Sequence, residues 1–545
     1  MAYDVSEPVI VETRLSDGQR LVADVYRPSG AGKYPVLLMR QPYGRRIAST
    51  VVLAHPAWYA SHGYVVMVQD VRGRGGSGGR FRVLADDVSD GAETLIAAAN
   101  LAGGDGRVAT YGFSYQGMTQ YMGLAGALAK GGVQPAAMAV AMAAWNVRND
   151  WAFEGGAFRM AGNQYWALQM GAENARIGGH HEAYHALRSA AALVGTGAKP
   201  SRLAALDAWP EFTHYHEWLA DEPAYWAACS PDAALNGRPL TVPTLHIGGW
   251  LDILLEGTLA AHAAFQSAGA PTELRIGPWT HMPWSRRVGE LDHGEEAGEG
   301  ADAAILAFFE TTLKGRPPAS PPVALFDLGR RRFAHFQALP PTREWSLFLT
   351  STGRAAPTVT DGALSPDPGP AASDRLVHDP WRPAPSQGCE LGALGGYLWR
   401  EAIDSRGDVA VYTSAPLETS LTLAGRLSAE ISVVSDASSF DLAAILSVVS
   451  EDGRAVAFAG GFQRTTSGAP EGPVVVNLHQ TCMTLAVGQR LRLSLQAAAW
   501  PAHMVNPGTG MKPEDADLAE CRPITLTIRH GAANPSRLVL SVAFQ

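Results

Sequence analysis

The sequence predicts an α/β domain built on a buried parallel sheet, interrupted by a helix-rich insertion and followed by an all-β domain. Three observations predict it. Residues 1–143 hold continuous apolar runs such as YPVLLMR and GYVVMVQDV, separated by helical stretches such as DVSDGAETLIAAANLA; strands buried on both faces of a parallel sheet read this way. Residues 144–239 are dense in Trp, Tyr, Ala and His without a clear buried strand, and then TVPTLHIGGWLD and TELRIGPWTH resume the first pattern within 240–340. Residues 341–545 change to alternating runs such as LSAEISVVS, LRLSLQAAA and ITLTIRH between Pro/Gly-rich turns, the pattern of an antiparallel sandwich. The Pro-rich stretch 365–386 reads as a long loop between strands.

A chain of 545 residues is too long for one hydrophobic core, so sites between domains are available to it. With 46% hydrophobic residues, 17% charged residues and a net charge of -9, it offers no polyanion-binding surface, and nucleic acid is not an expected partner. The one basic run, Arg330 to Arg332, reads as a solvated turn. Four cysteines, Cys229, Cys389, Cys482 and Cys521, lack CxxC spacing and imply a reducing compartment rather than a disulfide framework or thiolate metal site. The N-terminal residues enter a strand-like pattern without a signal sequence, and no run of 18 or more apolar residues occurs. A cytoplasmic protein without a membrane span is the expectation.

The stretch GRVATYGFSYQGMTQYMGLAGA carries the strongest chemical signal. An apolar strand runs into Gly112-Phe113-Ser114-Tyr115-Gln116-Gly117, and a helical run follows at once. Strand, tight turn with a central serine, then helix is the setting that exposes a nucleophilic hydroxyl above a sheet edge. The common G-x-S-x-G spacing places a glycine where this chain has Gln116, so a serine that merely caps a helix is the competing reading. A nucleophilic serine needs a base and an acid that orients it, which in this setting follow later, acid first, on loops after sheet strands. Asp252 lies just past one buried run and His281 just past the next. Glu256 is the alternative acid, His246 falls inside a strand, and His293 stands too far beyond the strand end.

Stabilising a tetrahedral oxyanion takes two donors, one of them the backbone N–H of the residue after the nucleophile, here Tyr115. The second comes from the loop after the strand YPVLLMR, where Tyr43 is the only good side-chain donor in a turn setting. Taken alone, Tyr43 is equally a packing tyrosine.

Two other motifs compete. Gly73-Arg74-Gly75-Gly76-Ser77-Gly78 matches a dinucleotide-binding G-x-G-x-x-G, but RFRVLADD intervenes before the next helix and Glu93 sits inside that helix rather than at a strand end. A structural loop tied down by Asp70 and Arg72 is the preferred reading. His181-Glu182-x-x-His185 matches the zinc-peptidase pattern, with Glu211 as a conceivable third ligand. Gly178-Gly179 just before it would leave both imidazoles in the first, fraying turns of a helix, so exposed insertion-domain histidines are preferred and no metal or other cofactor is expected.

The stretches RQPYGRR, VQDVRGRGGSGGRF, DGRVATYGFSYQGMTQ, GGWLD and GPWTH, in this order, resemble the cocaine-esterase-like (CocE/NonD) serine hydrolases, relatives of the X-prolyl dipeptidyl peptidases. The resemblance continues through HDPWRP, YTSAPLE, SEDGRAV and NPGTG, and so covers nearly the whole chain. The family's elbow is G-x-S-Y-x-G, which accounts for the displaced glycine. The resemblance implies an α/β-hydrolase domain (1–143 and 240–340), a helical cap (144–239) and a C-terminal jelly roll (341–545). It assigns Ser114 as nucleophile, His281 as base, Asp252 as its partner, and Tyr43 with the Tyr115 amide as oxyanion hole.

Related α-amino-acid ester hydrolases hold an ammonium group with acids two and three residues after the catalytic Asp; here Leu254 and Leu255 stand there, and the matching cap position falls near Arg148. An α-ammonium substrate is therefore disfavoured. The resemblance places the acyl site between cap and hydrolase domain, where Trp145, Trp151, Phe153, Phe158 and Trp166 supply aromatic surface, about two of them facing substrate; Gln116, Arg148 and Leu254 complete the expected substrate contacts. The expected function is hydrolysis of carboxylic esters with a hydrophobic acyl group, with amide hydrolysis or acyl transfer on the same triad as alternatives and zinc peptidase activity as a distant one. The expected partner is a small-molecule ester or amide, and a homo-oligomer is left open.

Overall fold

The computed structural model describes residues 3–46, 51–194, 203–281, 283–389 and 395–544. A ten-stranded sheet forms the first part: β1 (Val9–Arg14), β2 (Arg20–Tyr26), β3 (Tyr34–Gln41), β4 (Val65–Asp70), β5 (Gly104–Phe113), β6 (Ala137–Ala141), β7 (Thr244–Leu251), β8 (Thr272–Thr280), β9 (Val323–Asp327) and β10 (Arg332–Phe336). Their spatial order is β1-β2-β4-β3-β5-β6-β7-β8-β9-β10. From β4 through β9 every neighbouring pair is parallel. The central strands are buried along nearly their whole length, which is why they appear as uninterrupted apolar runs.

Helices α1 (Pro56–Ser61), α2 (Asp87–Ala99) and α3 (Tyr115–Lys130) connect the early strands. Between β6 and β7 the chain leaves the sheet for α4 (Met160–Ile177), α5 (His181–Ala191) and four shorter helices within 204–235. This segment also carries a minimal hairpin, Phe153–Glu154 with Ala157–Phe158, too short to register as a strand signal. Helices α6 (Leu255–Ser267) and α7 (Ala301–Lys314) complete the α/β part. Arg330 and Arg331 form the exposed turn between β9 and β10, and Arg332 opens β10 with its side chain exposed.

The remainder is β-rich, a nine-stranded sheet and a three-stranded sheet. Within 365–386 the expectation of an uninterrupted loop is corrected: Ala372–His378 is a strand paired with Ile524–His530. Its alternate residues Asp374, Leu376 and His378 are buried, a period-two signal obscured by the prolines on either side. The β part packs directly on the first sheet, sharing one apolar core with it. Asp327 at the end of β9 accepts from Thr484 N–H at 3.0 Å and Thr484 Oγ1 at 2.5 Å. Among the described residues no helix is long and apolar enough to cross a membrane.

This topology gathers the site. Parallel strands end on the same side, and loops at the carboxyl ends of β3, β5, β7 and β8 carry Tyr43, Ser114, Asp252 and His281.

Candidate active site

Ser114 is the hinge between β5 and α3, with φ 58° and ψ −121°. A non-glycine residue holds that backbone only when its surroundings impose it. Here Ser114 N–H donates to Ala141 O at 2.9 Å, and Ser114 O accepts from the amides of Gly117 and Met118. The displaced glycine also has a local cause. A Cβ at Gly117 would lie 2.8 Å from Ala143 Cβ and 3.2 Å from Val140 Cγ1, so α3 could not pack this closely on β6 with any side chain there. Gln116, one residue earlier, tolerates a side chain because it folds back under the turn.

Ser114 Oγ lies 3.0 Å from His281 Nε2, and His281 Nδ1 lies 2.7 Å from Asp252 Oδ1. The carboxylate holds the proton on Nδ1 and leaves Nε2 to accept from the serine hydroxyl. Asp252 is wholly buried, and its Oδ1 also accepts the Leu254 N–H at 3.1 Å. The alternative acid, Glu256, instead accepts from the Gln480 side chain at 3.2 Å. His246 is buried between Tyr121, His262 and Phe265, and His293 is buried against Tyr397 with ring centroids 4.6 Å apart. The Phe113 ring lies 4.9 Å from the His281 ring, a contact that the variable position of the elbow motif did not disclose.

Tyr115 opens α3, so its amide is among those with no intrahelical acceptor, at the positive end of the helix dipole. Its hydroxyl points away into the core, donating to Asp87 Oδ2 at 3.0 Å and accepting from Leu84 N–H at 2.9 Å. Asp87 in turn lies 2.8 Å from Arg40 Nη1; burial outweighs the guanidinium and pushes the Asp87 carboxyl up to about 6. Tyr43, half-buried on the loop after β3, has its hydroxyl 3.3 Å from Trp166 Nε1. The indole can only donate, so the phenol oxygen accepts from it and keeps its own proton to give. Burial pushes the Tyr43 phenol above its ordinary value, against the Trp166 hydrogen bond and nearby Arg74, so at neutral pH it is a protonated donor.

Known proteins resemble this chain along nearly its whole length. Residues 17–283 match the X-Pro dipeptidyl-peptidase (S15 family) model, and residues 318–539 match the X-Pro dipeptidyl-peptidase C-terminal non-catalytic domain. The cocaine esterase of Rhodococcus sp. (strain MB1 Bresler) is 28% identical over 575 residues, covering 99% of both chains. In sequence the chain resembles the cocaine-esterase-like (CocE/NonD) serine hydrolases and their S15-family relatives. An aminopeptidase from a marine sediment Thaumarchaeota archaeon superposes on this chain with TM-score 0.80 at 21% identity, over 99% of this chain and 97% of the other. An α-amino acid ester hydrolase does so with TM-score 0.78 at 21% identity, again over 99% and 97%. A CocE/NonD family hydrolase from Staphylococcus aureus gives 0.68 at 16%, over 99% and 94%. These likenesses establish a shared fold of an α/β hydrolase-type domain with a β-rich C-terminal domain.

The aromatic residues of the inserted segment divide. Trp166, which donates to Tyr43, packs edge to face with Trp151 at 5.3 Å and both stay partly exposed, while the buried Trp218 stacks on Trp166 at 5.4 Å and meets Trp151 at 4.8 Å. Trp218 was not singled out in the sequence, where nothing separates it from other tryptophans of the segment. Phe153 and Phe158 face one another at 5.3 Å, and both are buried. Leu254 is buried in the same apolar cluster.

Three of the expected substrate contacts are engaged with other parts of the protein. Trp145 packs against Tyr121 and Phe265, toward α3 and α6 instead of into the Trp151/Trp166 cluster. Gln116 is buried, and its Oε1 accepts the Phe113 N–H at 3.1 Å, bracing the elbow from behind. Arg148 is already engaged, forked onto Asp221 with both contacts at 2.6 Å and lying 4.4 Å over the Phe153 ring. The remaining motifs fall outside the site. His181 opens α5, and His181, Glu182, His185 and Glu211 are all exposed; among the described residues no three His, Cys, Asp or Glu side chains are placed to hold a metal. In the glycine loop, Asp70 takes the place a Cβ at Gly75 would need, 2.1 Å from its Oδ2, and accepts from Gly76 N–H at 2.9 Å and Arg45 Nη1 at 2.7 Å. Its glycines thus serve a tight turn around a carboxylate.

Proposed function

We propose that this chain is a serine esterase that cleaves carboxylic esters with a hydrophobic acyl group through an acyl-enzyme on Ser114. The observation that carries the reading is the unbroken Ser114–His281–Asp252 hydrogen-bond chain, on a serine whose backbone is held in the elbow conformation. In the proposed course, His281 Nε2 takes the Ser114 proton as Oγ bonds to the acyl carbon. Asp252 stabilises the imidazolium that results. The Tyr43 hydroxyl and Tyr115 N–H donate to the oxyanion, which collapses and expels the alcohol, protonated by His281. Water, activated by the same imidazole, then releases the acid and regenerates Ser114.

The partly exposed Trp166, hydrogen-bonded to Tyr43, and its neighbour Trp151 support a flat, apolar acyl group. The helical segment 144–239 is proposed as a cap over the α/β-hydrolase domain formed by 1–143 and 240–340, and the β part, 341–545, as a jelly roll. Four cysteines in 545 residues without CxxC spacing support a reducing, cytoplasmic setting. A small-molecule ester is the proposed partner. Rates on a panel of aryl and alkyl esters test the reading: they should vanish in Ser114→Ala and persist in His181→Ala/His185→Ala and with chelators. Retained turnover in Ser114→Ala, lost on chelation, would overturn it.

A further inference from the structure

Arg74, from the glycine loop, is 1% exposed and has no carboxylate partner among the described residues. Burying a guanidinium without a carboxylate in hydrogen-bond contact is costly, and burial, outweighing the charge of nearby Glu173, lowers its pKa to about 10. Its donors are spent on neutral acceptors from two elements. Nε donates to Pro42 O at 2.7 Å; Nη1 donates to Asn174 Oδ1 at 2.5 Å and Met170 O at 3.3 Å; its carbon lies 4.9 Å over the Phe81 ring. Pro42 is the residue before Tyr43. Met170 and Asn174 stand four and eight residues after Trp166, on the same face of α4. Trp166 is the residue that donates to the Tyr43 hydroxyl. The contacts therefore close a ring: Tyr43, the Pro42 carbonyl, Arg74, α4, Trp166, and back to the Tyr43 oxygen.

We propose that Arg74 is a positioning residue for catalysis, a fork that holds the Tyr43 loop and helix α4 at one spacing so that the Tyr43 hydroxyl is aimed at the oxyanion. This rests on Tyr43 being an oxyanion donor. A planar fork reaching two backbone elements in fixed directions is what a guanidinium supplies and an ammonium does not. The energetic penalty of a buried, unpaired cation is then offset by alignment of the site. Removing one oxyanion donor typically costs about a hundredfold or more in kcat, and a misaimed donor loses part of that.

A double-substitution cycle in the full chain tests this, with kcat and KM measured on a p-nitrophenyl ester for wild type, Arg74→Gln, Arg74→Lys, Tyr43→Phe and the combined variants. Arg74→Gln is expected to lower kcat by about tenfold to a hundredfold with KM within about threefold. Arg74→Lys should recover part of the loss. In the Tyr43→Phe background, Arg74→Gln should lower kcat by no more than about threefold, because the donor it aims is gone. Equal factors in both backgrounds, or a rise in KM at unchanged kcat, would overturn the proposal. So would failure of both Arg74 variants to fold, which would make Arg74 a stability element. If Tyr43→Phe alone keeps wild-type kcat, it is the oxyanion reading that fails, and that result is visible before any Arg74 variant is considered.

Discussion

Replacing Asp252 by Asn separates catalysis from stability. Asp252 is wholly buried and accepts from His281 Nδ1 at 2.7 Å and Leu254 N–H at 3.1 Å, both on Oδ1. An amide of the same shape that turns its nitrogen toward His281 donates to Nδ1 and fixes the wrong tautomer, and in either orientation it no longer offsets the imidazolium charge. A triad that loses its carboxylate in this way loses about 10³- to 10⁴-fold in kcat, about 4 to 5.5 kcal/mol of transition-state stabilisation. Stability should move the other way. A buried carboxylate carries a desolvation cost of about several kcal/mol, and Asn relieves it. Steady-state hydrolysis of a p-nitrophenyl ester and thermal unfolding of the same preparation are the assays. The expected pair of results is a kcat reduced by about three decades or more with an unfolding midpoint equal to or above wild type. A kcat within about tenfold of wild type, or a clear fall in the midpoint, would refute the reasoning by making Asp252 a structural acid.

Trp166→Phe keeps aromatic bulk but removes the indole N–H that Tyr43 accepts; a net hydrogen bond of about 1 kcal/mol predicts a several-fold fall in kcat for acetyl and benzoyl esters alike, and a change confined to KM would contradict it. Gly117→Ala drives a Cβ to 2.8 Å from Ala143 Cβ and should destabilise by about 1–3 kcal/mol, read as a lower urea midpoint; an unchanged midpoint would show that α3 and β6 can separate freely. Asp87 gives a pH dependence of defined sign. Burial raises its carboxyl from 3.8 to about 6, so the folded protein binds that proton more tightly than the unfolded chain. Its contribution to stability is complete below pH 3.8 and lost as pH rises through 6, a change of order 3 kcal/mol. Relative to Asp87→Asn, wild type should therefore lose stability between pH 4 and 7, and a difference independent of pH would rule this out.

The parts of the site that depend on chain order were legible in the sequence. Buried parallel strands are apolar runs, and the residue just past each run is at the carboxyl edge of the sheet, so Ser114, Asp252 and His281 could be placed without coordinates. Local deviations had local causes: Gly117, which broke the common spacing, answers the close approach of Ala143 and Val140. What depends on side-chain direction was not legible. Trp145 and Trp151 are six residues apart in one segment, yet their rings meet different neighbours, Tyr121 and Trp218 respectively, and Arg148 found Asp221, 73 residues away. The strand Ala372–His378 was hidden because its prolines flank it while the alternating burial lies between them. Arg74 was read as part of a glycine motif, and its bearing on Tyr43 depends on α4, which belongs to the inserted segment 144–239.

Mass spectrometry of the acid-quenched reaction with an aryl ester measures the central claim most directly. The account predicts a peptide containing Ser114 that carries the mass of the acyl group during turnover, and no such adduct in Ser114→Ala. Full turnover with Ser114 never acylated would contradict it.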